Sequence, residues 1–138
     1  MSINRTRSFA AEYESLKKIR RFIAKVCKEG DLGNDLRHSL ELAVDEAATN
    51  VIEYGYAGMD PGSIVVDVHA DSQRVTVTLT DFGRPFDPTK KKPPSLDVAN
   101  EDMPTHGFGV FFIYETMDEV DYQSSEDGNR LTLTKKLG

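Results

Sequence analysis

The sequence predicts an α+β domain with two layers, in which a mainly antiparallel sheet carries helices on one face. Two segments near the start repeat apolar residues with the period of an α-helix. Two later pairs of short segments alternate apolar and polar residues across short connections, as β-hairpins do. A third helical pattern lies between the two pairs. Runs of strands that alternate with runs of helices favour this layered arrangement.

The first predicted helix runs from Ala11 to Cys27, and the second from about Asn34 to Tyr54. Gly30–Gly33 separates them, because glycine is a poor helix former. Apolar residues recur at helical spacing on one side of each segment, with charged residues largely on the other side of the first. The buried positions expected are Leu16, Ile19, Phe22, Ile23 and Val26, then Leu36, Leu40, Ala43, Val44, Ala47, Ala48 and Val51.

The two predicted hairpins lie on either side of a long irregular stretch. The first comprises the alternating residues 64–69 and 75–80, and the second comprises about Glu119–Ser124 and Asn129–Lys136 with an Asp127-Gly128 turn. From Gly83 to His106 the pattern dissolves, and this stretch has five of the six prolines. A loop this long inside a small domain is usually functional or disordered. A third helix is expected from Gly107.

Composition bounds the possible functions. A chain of 138 residues predicts a single domain, and its net charge of −6 without a basic face argues against a nucleic-acid surface. No apolar stretch is long enough to cross a membrane, and the first residues lack the apolar centre of a signal peptide. The single cysteine, Cys27, forms no internal disulfide. A cytoplasmic location is the expectation.

Glu46 and Asn50 form the first candidate constellation. Residues four apart on a helix are neighbours on one face, and this face borders the predicted buried stripe. A carboxylate there can accept a proton or orient a water, and an amide oxygen can ligate Mg²⁺. The alternative is a polar helix surface without function, since acidic residues on helices are mostly exposed.

The second candidate is Asp81, in the stretch TDFGRPFDP. Asp-Phe-Gly holds magnesium in protein kinases, but the chain is too short for two lobes and has no His-Arg-Asp loop or Val-Ala-Ile-Lys strand. A carboxylate at a strand end can instead accept a hydrogen bond from a nucleobase amino group, and Gly83 lets backbone approach a ligand closely. The alternative is a simple Asp-x-Gly turn.

Gly107-Phe108-Gly109 is the third candidate, because it opens a helix directly after the long loop. Backbone N–H groups at such a helix start can face an anion. The third glycine of a dinucleotide fingerprint would fall at Phe112, and no parallel strand precedes the motif, so a Rossmann site is not indicated. A flexible helix entry is the alternative.

In this order, the three motifs resemble the GHKL ATPase superfamily. The stretches ELAVDEAATNVIEYGYAG, DFGRPFDP and HGFGVFFIYETMDEVDY are similar to the anti-sigma-factor serine kinases of bacteria, over about Phe9 to Lys136. The resemblance implies a GHKL, or Bergerat, α/β sandwich over residues 1–138 that binds ATP beneath a lid of about residues 84–106.

The resemblance also implies a role for each motif. Asn50 would ligate the Mg²⁺ that bridges the phosphates, and Glu46 would be the general base for the attacking hydroxyl. Asp81 would take the adenine amino group, and Gly83 would let the ring approach. The phosphates would be held at the third helix start, and a strand hydroxyl would lie near the adenine; these positions are Gly107, Phe108, Gly109, Val110 and Thr132.

By this likeness the chain is a serine/threonine protein kinase that uses ATP and Mg²⁺, phosphorylates an anti-sigma factor antagonist, sequesters a sigma factor and forms a homodimer. Two alternatives stay open: a nucleotide-binding module that sequesters a partner without kinase activity, and an α+β scaffold without nucleotide. One departure concerns the kinase reading. Some members carry a basic residue just before Gly-x-Gly, where this chain has Thr105 and His106.

Overall fold

A computed structural model describes residues 2–87 and 113–137, which include a five-stranded sheet. The strands are β1 (Ile3–Ala10), β2 (Ser63–Ala70), β3 (Arg74–Asp81), β4 (Glu119–Ser125) and β5 (Gly128–Lys136). Their order in the sheet is β1-β2-β3-β5-β4, and every neighbouring pair is antiparallel. Each hairpin of the sequence prediction is present, and β3 and β5 join the two hairpins at the centre of the sheet.

Two long helices connect β1 to β2. They are α1 (Tyr13–Glu29) and α2 (Asn34–Asn50), and a π-helical segment, Val51–Gly55, continues α2. The Tyr56 N–H donates to the Val51 carbonyl oxygen (3.0 Å), five residues back, which is the hydrogen bond that defines a π turn. Residues 113–116 are also helical.

The core lies between the helices and one face of the sheet. Along β2 and β3 every second side chain is buried, as the period of two requires for a sheet covered on one side. The helices contribute their predicted apolar stripes. The best-buried side chains of this core include Ile19, Ile23, Leu40, Val44, Ile64, Val66, Val77, Leu79, Ile113 and Leu133.

The predicted fold class is confirmed, but the strand β1 was not predicted. Its inward positions hold Arg5 and Arg7 where a buried strand would carry apolar residues, so no apolar alternation marks it. The strand forms because it pairs with β2 along its whole length, from Ile3 opposite Ala70 to Ala10 opposite Ser63. As an edge strand it is anchored near its ends, where Phe9 is buried and Ile3 packs against the core.

Two boundaries also differ from the prediction. The α-helical part of α2 ends at Asn50 rather than Tyr54, because the chain widens into the π turn there. Of the predicted third helix only residues 113 onward are described. Residues 88–106 of the predicted lid and the motif at Gly107–Val110 lie outside the described residues.

Candidate functional site

A pocket lies where the end of α2 meets the ends of the central strands. Each surrounding element contributes to its wall: α2, the π-helical segment, β3, the residues just after β3, β4 and β5. The lining residues are Ala47, Asn50, Val51, Gly55, Leu79, Asp81, Arg84, Phe86, Tyr122 and Leu131. The wall is therefore mostly apolar with a few polar groups, as small-molecule sites usually are.

Asn50 brings an unsatisfied polar group to this pocket. Its side chain is only 4% exposed, and the amide nitrogen Nδ2 is buried without a hydrogen-bond partner among the residues that the structure describes. Leaving a buried donor unpaired is costly, so this position fits a bound ligand that completes the amide's hydrogen bonding. Glu46 lies one helical turn earlier on the same side of α2 and is half-buried.

Asp81 is the second predicted residue at the pocket, and it is 7% exposed at the end of β3. Its Oδ1 accepts two hydrogen bonds, from the Gly83 N–H and from Asn129 Nδ2, both at 3.0 Å. Within residues 2–87 and 113–137 no donor reaches the other oxygen, Oδ2. Burial raises the pKa of the Asp81 carboxyl above its ordinary value, while the two hydrogen bonds act in the opposite direction.

Gly83 lies against protein backbone. A Cβ at this position would be 2.3 Å from the Gly55 carbonyl oxygen and 2.6 Å from its carbon. The next N–H, of Arg84, donates to the same Gly55 oxygen at 2.6 Å. Only glycine allows the chain after β3 to close onto the π-helical segment, so the structure gives Gly83 a packing role that the resemblance did not include.

Thr132 is not brought to the pocket. It pairs with Thr78 across β3 and β5, whereas Leu131 lines the pocket and Leu133 lies in the core. Because successive side chains of a strand point to opposite faces, Thr132 faces away from Asp81. The structure therefore gives no support to a place for Thr132 near the base. Asn129, the residue that does reach Asp81, was not predicted.

Aromatic side chains form a wall that sequence reasoning also missed. The rings of Tyr54 and Phe86 are stacked, with centroids 4.8 Å apart and planes 9° apart. The Phe86 N–H donates to the hydroxyl of Tyr122 on β4 (3.0 Å). Phe86 and Tyr122 both line the pocket. The aromatic residues in DFGRPFDP and VDY were the available signal, but only the fold shows that they converge.

Tyr56 links two backbone segments at this end of the site through its hydroxyl. Its hydroxyl donates to the Ser63 carbonyl oxygen (2.8 Å) and accepts from the Phe82 N–H (2.9 Å). Burial raises the pKa of this hydroxyl. One side chain at the end of the π-helical segment therefore ties together the start of β2 and the residue after Asp81.

The described residues contain neither a cluster of metal ligands nor a membrane-spanning helix. In the described part of the chain, no group of three or more His, Cys, Asp or Glu side chains is placed to hold a metal ion. None of its helices is both long and apolar enough to cross a membrane.

Residues 9–135 match the family described as the histidine kinase-like ATPase domain. The chain belongs to this family. The GHKL resemblance inferred from the three motifs is thereby confirmed, and one residue from each of the first two motifs, Asn50 and Asp81, lines the pocket.

The curated relatives of this ATPase-family chain include named kinases and anti-sigma factors. It is 28% identical over 130 residues to the serine-protein kinase RsbW of Listeria innocua, covering 91% of this chain and 81% of that protein. It is 29% identical over 99 residues to the serine/threonine-protein kinase BtrW of Bordetella bronchiseptica, covering 72% and 70%. It is 31% identical over 99 residues to the anti-sigma F factor of Clostridium novyi, covering 71% and 69%.

Solved structures agree on the fold of this family member. The RsbU and RsbW domains of Rv1364c from Mycobacterium tuberculosis match with a TM-score of 0.70 at 18% identity, over 98% of this chain and 32% of that one. The histidine kinase domain of the Erythrobacter litoralis EL346 blue-light activated kinase matches with a TM-score of 0.54 at 15% identity, over 90% and 60%.

Proposed function

We propose that this chain is an ATP-dependent serine/threonine protein kinase that phosphorylates an anti-sigma factor antagonist and sequesters a sigma factor. The observation that carries the proposal is the pocket that Asn50 and Asp81 line together, where Asn50 Nδ2 is buried and unpaired and Asp81 Oδ2 has no donor among the described residues. Relatives named as serine-protein kinases and as an anti-sigma F factor support the same reading.

Asp81 would recognise the base. Gly83 and Asn129 already occupy Oδ1, so Oδ2 remains to accept a hydrogen bond from the amino group of adenine. A carboxylate only accepts hydrogen bonds when it is ionised, which selects a donor such as this amino group. Leu79, Leu131 and the aromatic wall would contact the ring.

Asn50 would hold Mg²⁺ through its amide oxygen, and the orphaned amide nitrogen beside it supports a ligand at this position. When bound, Mg²⁺ would neutralise charge that develops on the phosphate oxygens. Glu46, one turn earlier, would accept the proton of the serine hydroxyl that attacks the terminal phosphate. The phosphates would also contact the backbone of Gly107–Val110, as the family motif implies.

The oligomeric state, the location and the output of the reaction are also part of the proposal. We propose a homodimer in the cytoplasm, with exchange of the sigma factor and the antagonist as the output. Phosphorylation adds about −1.5 to −2 charges to the antagonist, which is enough to change the binding preference of a partner surface.

The nucleotide site is tested first by isothermal titration of ATP into the purified protein, with and without Mg²⁺. Binding that depends on Mg²⁺ and is weakened tenfold or more in Asn50→Ala is the expected result, on the order of one hydrogen bond or metal contact. Asn34→Ala is the matched control, since Asn34 is an exposed residue at the other end of α2. Absence of binding in a folded, nucleotide-free sample would contradict the proposal.

The kinase activity is tested with radiolabelled ATP and a candidate antagonist protein. We expect Glu46→Gln to abolish phosphoserine formation and to leave ATP affinity within about twofold, because an amide cannot accept the hydroxyl proton. Glu41→Gln, on the same helix, should leave both unchanged. Wild-type protein that binds ATP and transfers no phosphate to any candidate would instead support a nucleotide-binding regulatory module. Unchanged transfer by Glu46→Gln would remove Glu46 from the reaction.

A further inference from the structure

We propose that Asn129 is a positioning residue for base recognition, which turns the Asp81 carboxylate so that Oδ2 meets the exocyclic amino group of an adenine nucleotide. The proposal rests on the proposed function, because it requires a nucleotide in this pocket. Asn129 itself would not need to touch the base. It would act through Asp81.

The geometry begins with the register of the central strands. Asp81 on β3 lies directly opposite Asn129 on β5, and both side chains are buried on the helix-facing side of the sheet. Asn129 Nδ2 donates to Asp81 Oδ1 (3.0 Å) and also to the Gly83 carbonyl oxygen (2.9 Å). Both protons of the amide nitrogen are therefore used on the two ends of the Asp-x-Gly turn.

The orientation of this amide follows from its neighbours. The Gly83 carbonyl oxygen can only accept, so the atom that faces it must be the nitrogen. The other end of the amide, Oδ1, accepts from Ser124 Oγ (2.7 Å), and Ser124 lies opposite Asn129 on β4. A flipped amide would lose the hydrogen bonds to Asp81 and Gly83 and could keep only the one with the Ser124 hydroxyl, which can donate or accept, so one orientation is selected.

The consequence for Asp81 is a carboxylate with its two oxygens in different roles. Oδ1 receives Asn129 Nδ2 and the Gly83 N–H, and these two directions fix the rotation of the carboxylate plane. Oδ2 accepts nothing within the part of the chain that the structure describes. A fixed acceptor rejects a base that presents a carbonyl oxygen or no polar group at that position, because a buried polar group is then left unpaired.

Replacing Asn129 should change the selectivity between nucleotides with and without the amino group, rather than weaken the binding of both equally. The test is titration of ATP and of purine riboside 5′-triphosphate, which lacks the amino group, into wild type and Asn129→Leu. In wild type the amino group should improve binding on the order of 10- to 100-fold, as a hydrogen bond to a charged acceptor does. In Asn129→Leu this ratio should fall to about threefold or less, because Asp81 is no longer held.

A merely structural role for Asn129 gives a different result. Asn129→Leu would then weaken both nucleotides equally and leave the ratio at its wild-type value, which would overturn the proposal. Asn129→Ala, which is smaller and also lacks the donor, is the second variant, so that poor folding of Asn129→Leu does not prevent a decision. A wild-type ratio in a folded Asn129→Ala would likewise overturn it.

Two further variants serve as controls. Thr134→Val removes a buried hydroxyl from the same strand on the opposite face and should keep both affinities. Ser124→Ala removes only the hydrogen bond to the Asn129 amide oxygen, so it should loosen the amide and lower the ratio part of the way. Failure of wild type to bind ATP would contradict the proposed function itself, which separates that failure from retained selectivity in the Asn129 variants.

Discussion

Asp81 shows a conflict between stability and recognition within one residue. Burial disfavours its charged form, and Oδ2 gains no hydrogen bond in compensation from the described residues. Functional sites often keep a polar group available for a ligand at a cost in folding free energy. The protein is then less stable than its fold would allow.

Replacing Asp81 by Asn should therefore raise stability and remove function. The raised pKa means that the native carboxyl takes up a proton at a higher pH than the unfolded one, so ionisation at neutral pH destabilises the wild type. We expect Asp81→Asn to raise the Tm by a few degrees at pH 7, and this gain to shrink as the pH falls through the range in which the wild-type carboxyl is protonated.

The measurement is thermal unfolding of both proteins from pH 7 to pH 4, together with ATP titration at pH 7. Loss of ATP affinity on the order of 10- to 100-fold should accompany the gain in stability. A Tm difference that grows as the pH falls would contradict the stated direction of the pKa shift.

Gly83 allows a prediction from close packing alone. A methyl group at this position would overlap the Gly55 backbone, which cannot move aside as a flexible side chain would. We expect Gly83→Ala to lower the free energy of unfolding by roughly 1–3 kcal/mol or more. Gly33→Ala is the control, since nothing lies within 4 Å of its Cβ position. Urea denaturation measures both, and equal stabilities would contradict the contact.

At this scale the sequence identifies residues whose chemistry is visible in a short motif, such as Asn50 and Asp81. It does not identify Asn129 or Tyr122, because the contact of Asn129 with Asp81 and the place of Tyr122 in the pocket depend on which strands are neighbours. Thr132 was expected near the base, but successive side chains of a strand point to opposite faces, and Thr132 lies on the face away from Asp81. Which residue of β5 faces Asp81 depends on the register of the sheet, and a local motif does not reveal it.

Among the secondary-structure elements, α1 and α2 illustrate which contacts hold the helical layer. Arg20 and Asp45 form an ion pair of 2.7 Å between them, with side chains 45% and 27% exposed. Ile23, on the buried side of α1, is 1% exposed. Water screens the ion pair, whereas a lost isoleucine leaves a cavity, so the apolar contact should dominate.

Ile23→Ala should accordingly lower the free energy of unfolding by about 2–5 kcal/mol. A double-mutant cycle of Arg20→Ala and Asp45→Ala should give a coupling of about 0.2–1 kcal/mol. Chemical denaturation supplies both values, with the exposed Arg21→Ala as a control. A coupling larger than the loss in Ile23→Ala would reverse this ranking.

The elements themselves are predictable where local pattern and burial agree. The helices α1 and α2 and the strands β2 to β5 carry clear periodicity, and all were expected. The strand β1 carries none, because Arg5 and Arg7 occupy inward positions, and Arg5 forms an ion pair with Glu29 (3.0 Å) at the end of α1. Its existence depends on an available edge of β2, which no local pattern reveals.

For the molecule as a whole, the nucleotide should act as part of the core. Its proposed site connects α2 to β3, β4 and β5, so binding would stabilise only the assembled fold. At a concentration of ATP 100 times its dissociation constant, the expected stabilisation is about 2.7 kcal/mol. Thermal unfolding with and without MgATP measures it, and Asn50→Ala should lose most of the shift. No shift in a protein that titration shows to bind ATP would mean that the unfolded chain binds equally well.

The order of helices and hairpins along the chain predicted the architecture, and the first two motifs were assigned to a helix and to a strand end that the structure contains. The sheet order could not be read in the same way. The first hairpin joins the second through β5 rather than β4, and this choice brings Asn129 beside Asp81. Long-range pairing of this kind depends on how the entire core packs.

The π turn after Asn50 has a consequence for changes in chain length. A residue in an α-helix rotates the following chain by roughly 100°, and a π turn accommodates one residue more than an α turn does. Deletion of a single residue between Val51 and Gly55, with a return to α geometry, would therefore leave the Tyr56 hydroxyl close to Ser63 and Phe82, whereas insertion of a further residue would rotate it away from both. A one-residue gap placed there in an alignment is thus compatible with the same site, and a one-residue insertion would signal a differently built site.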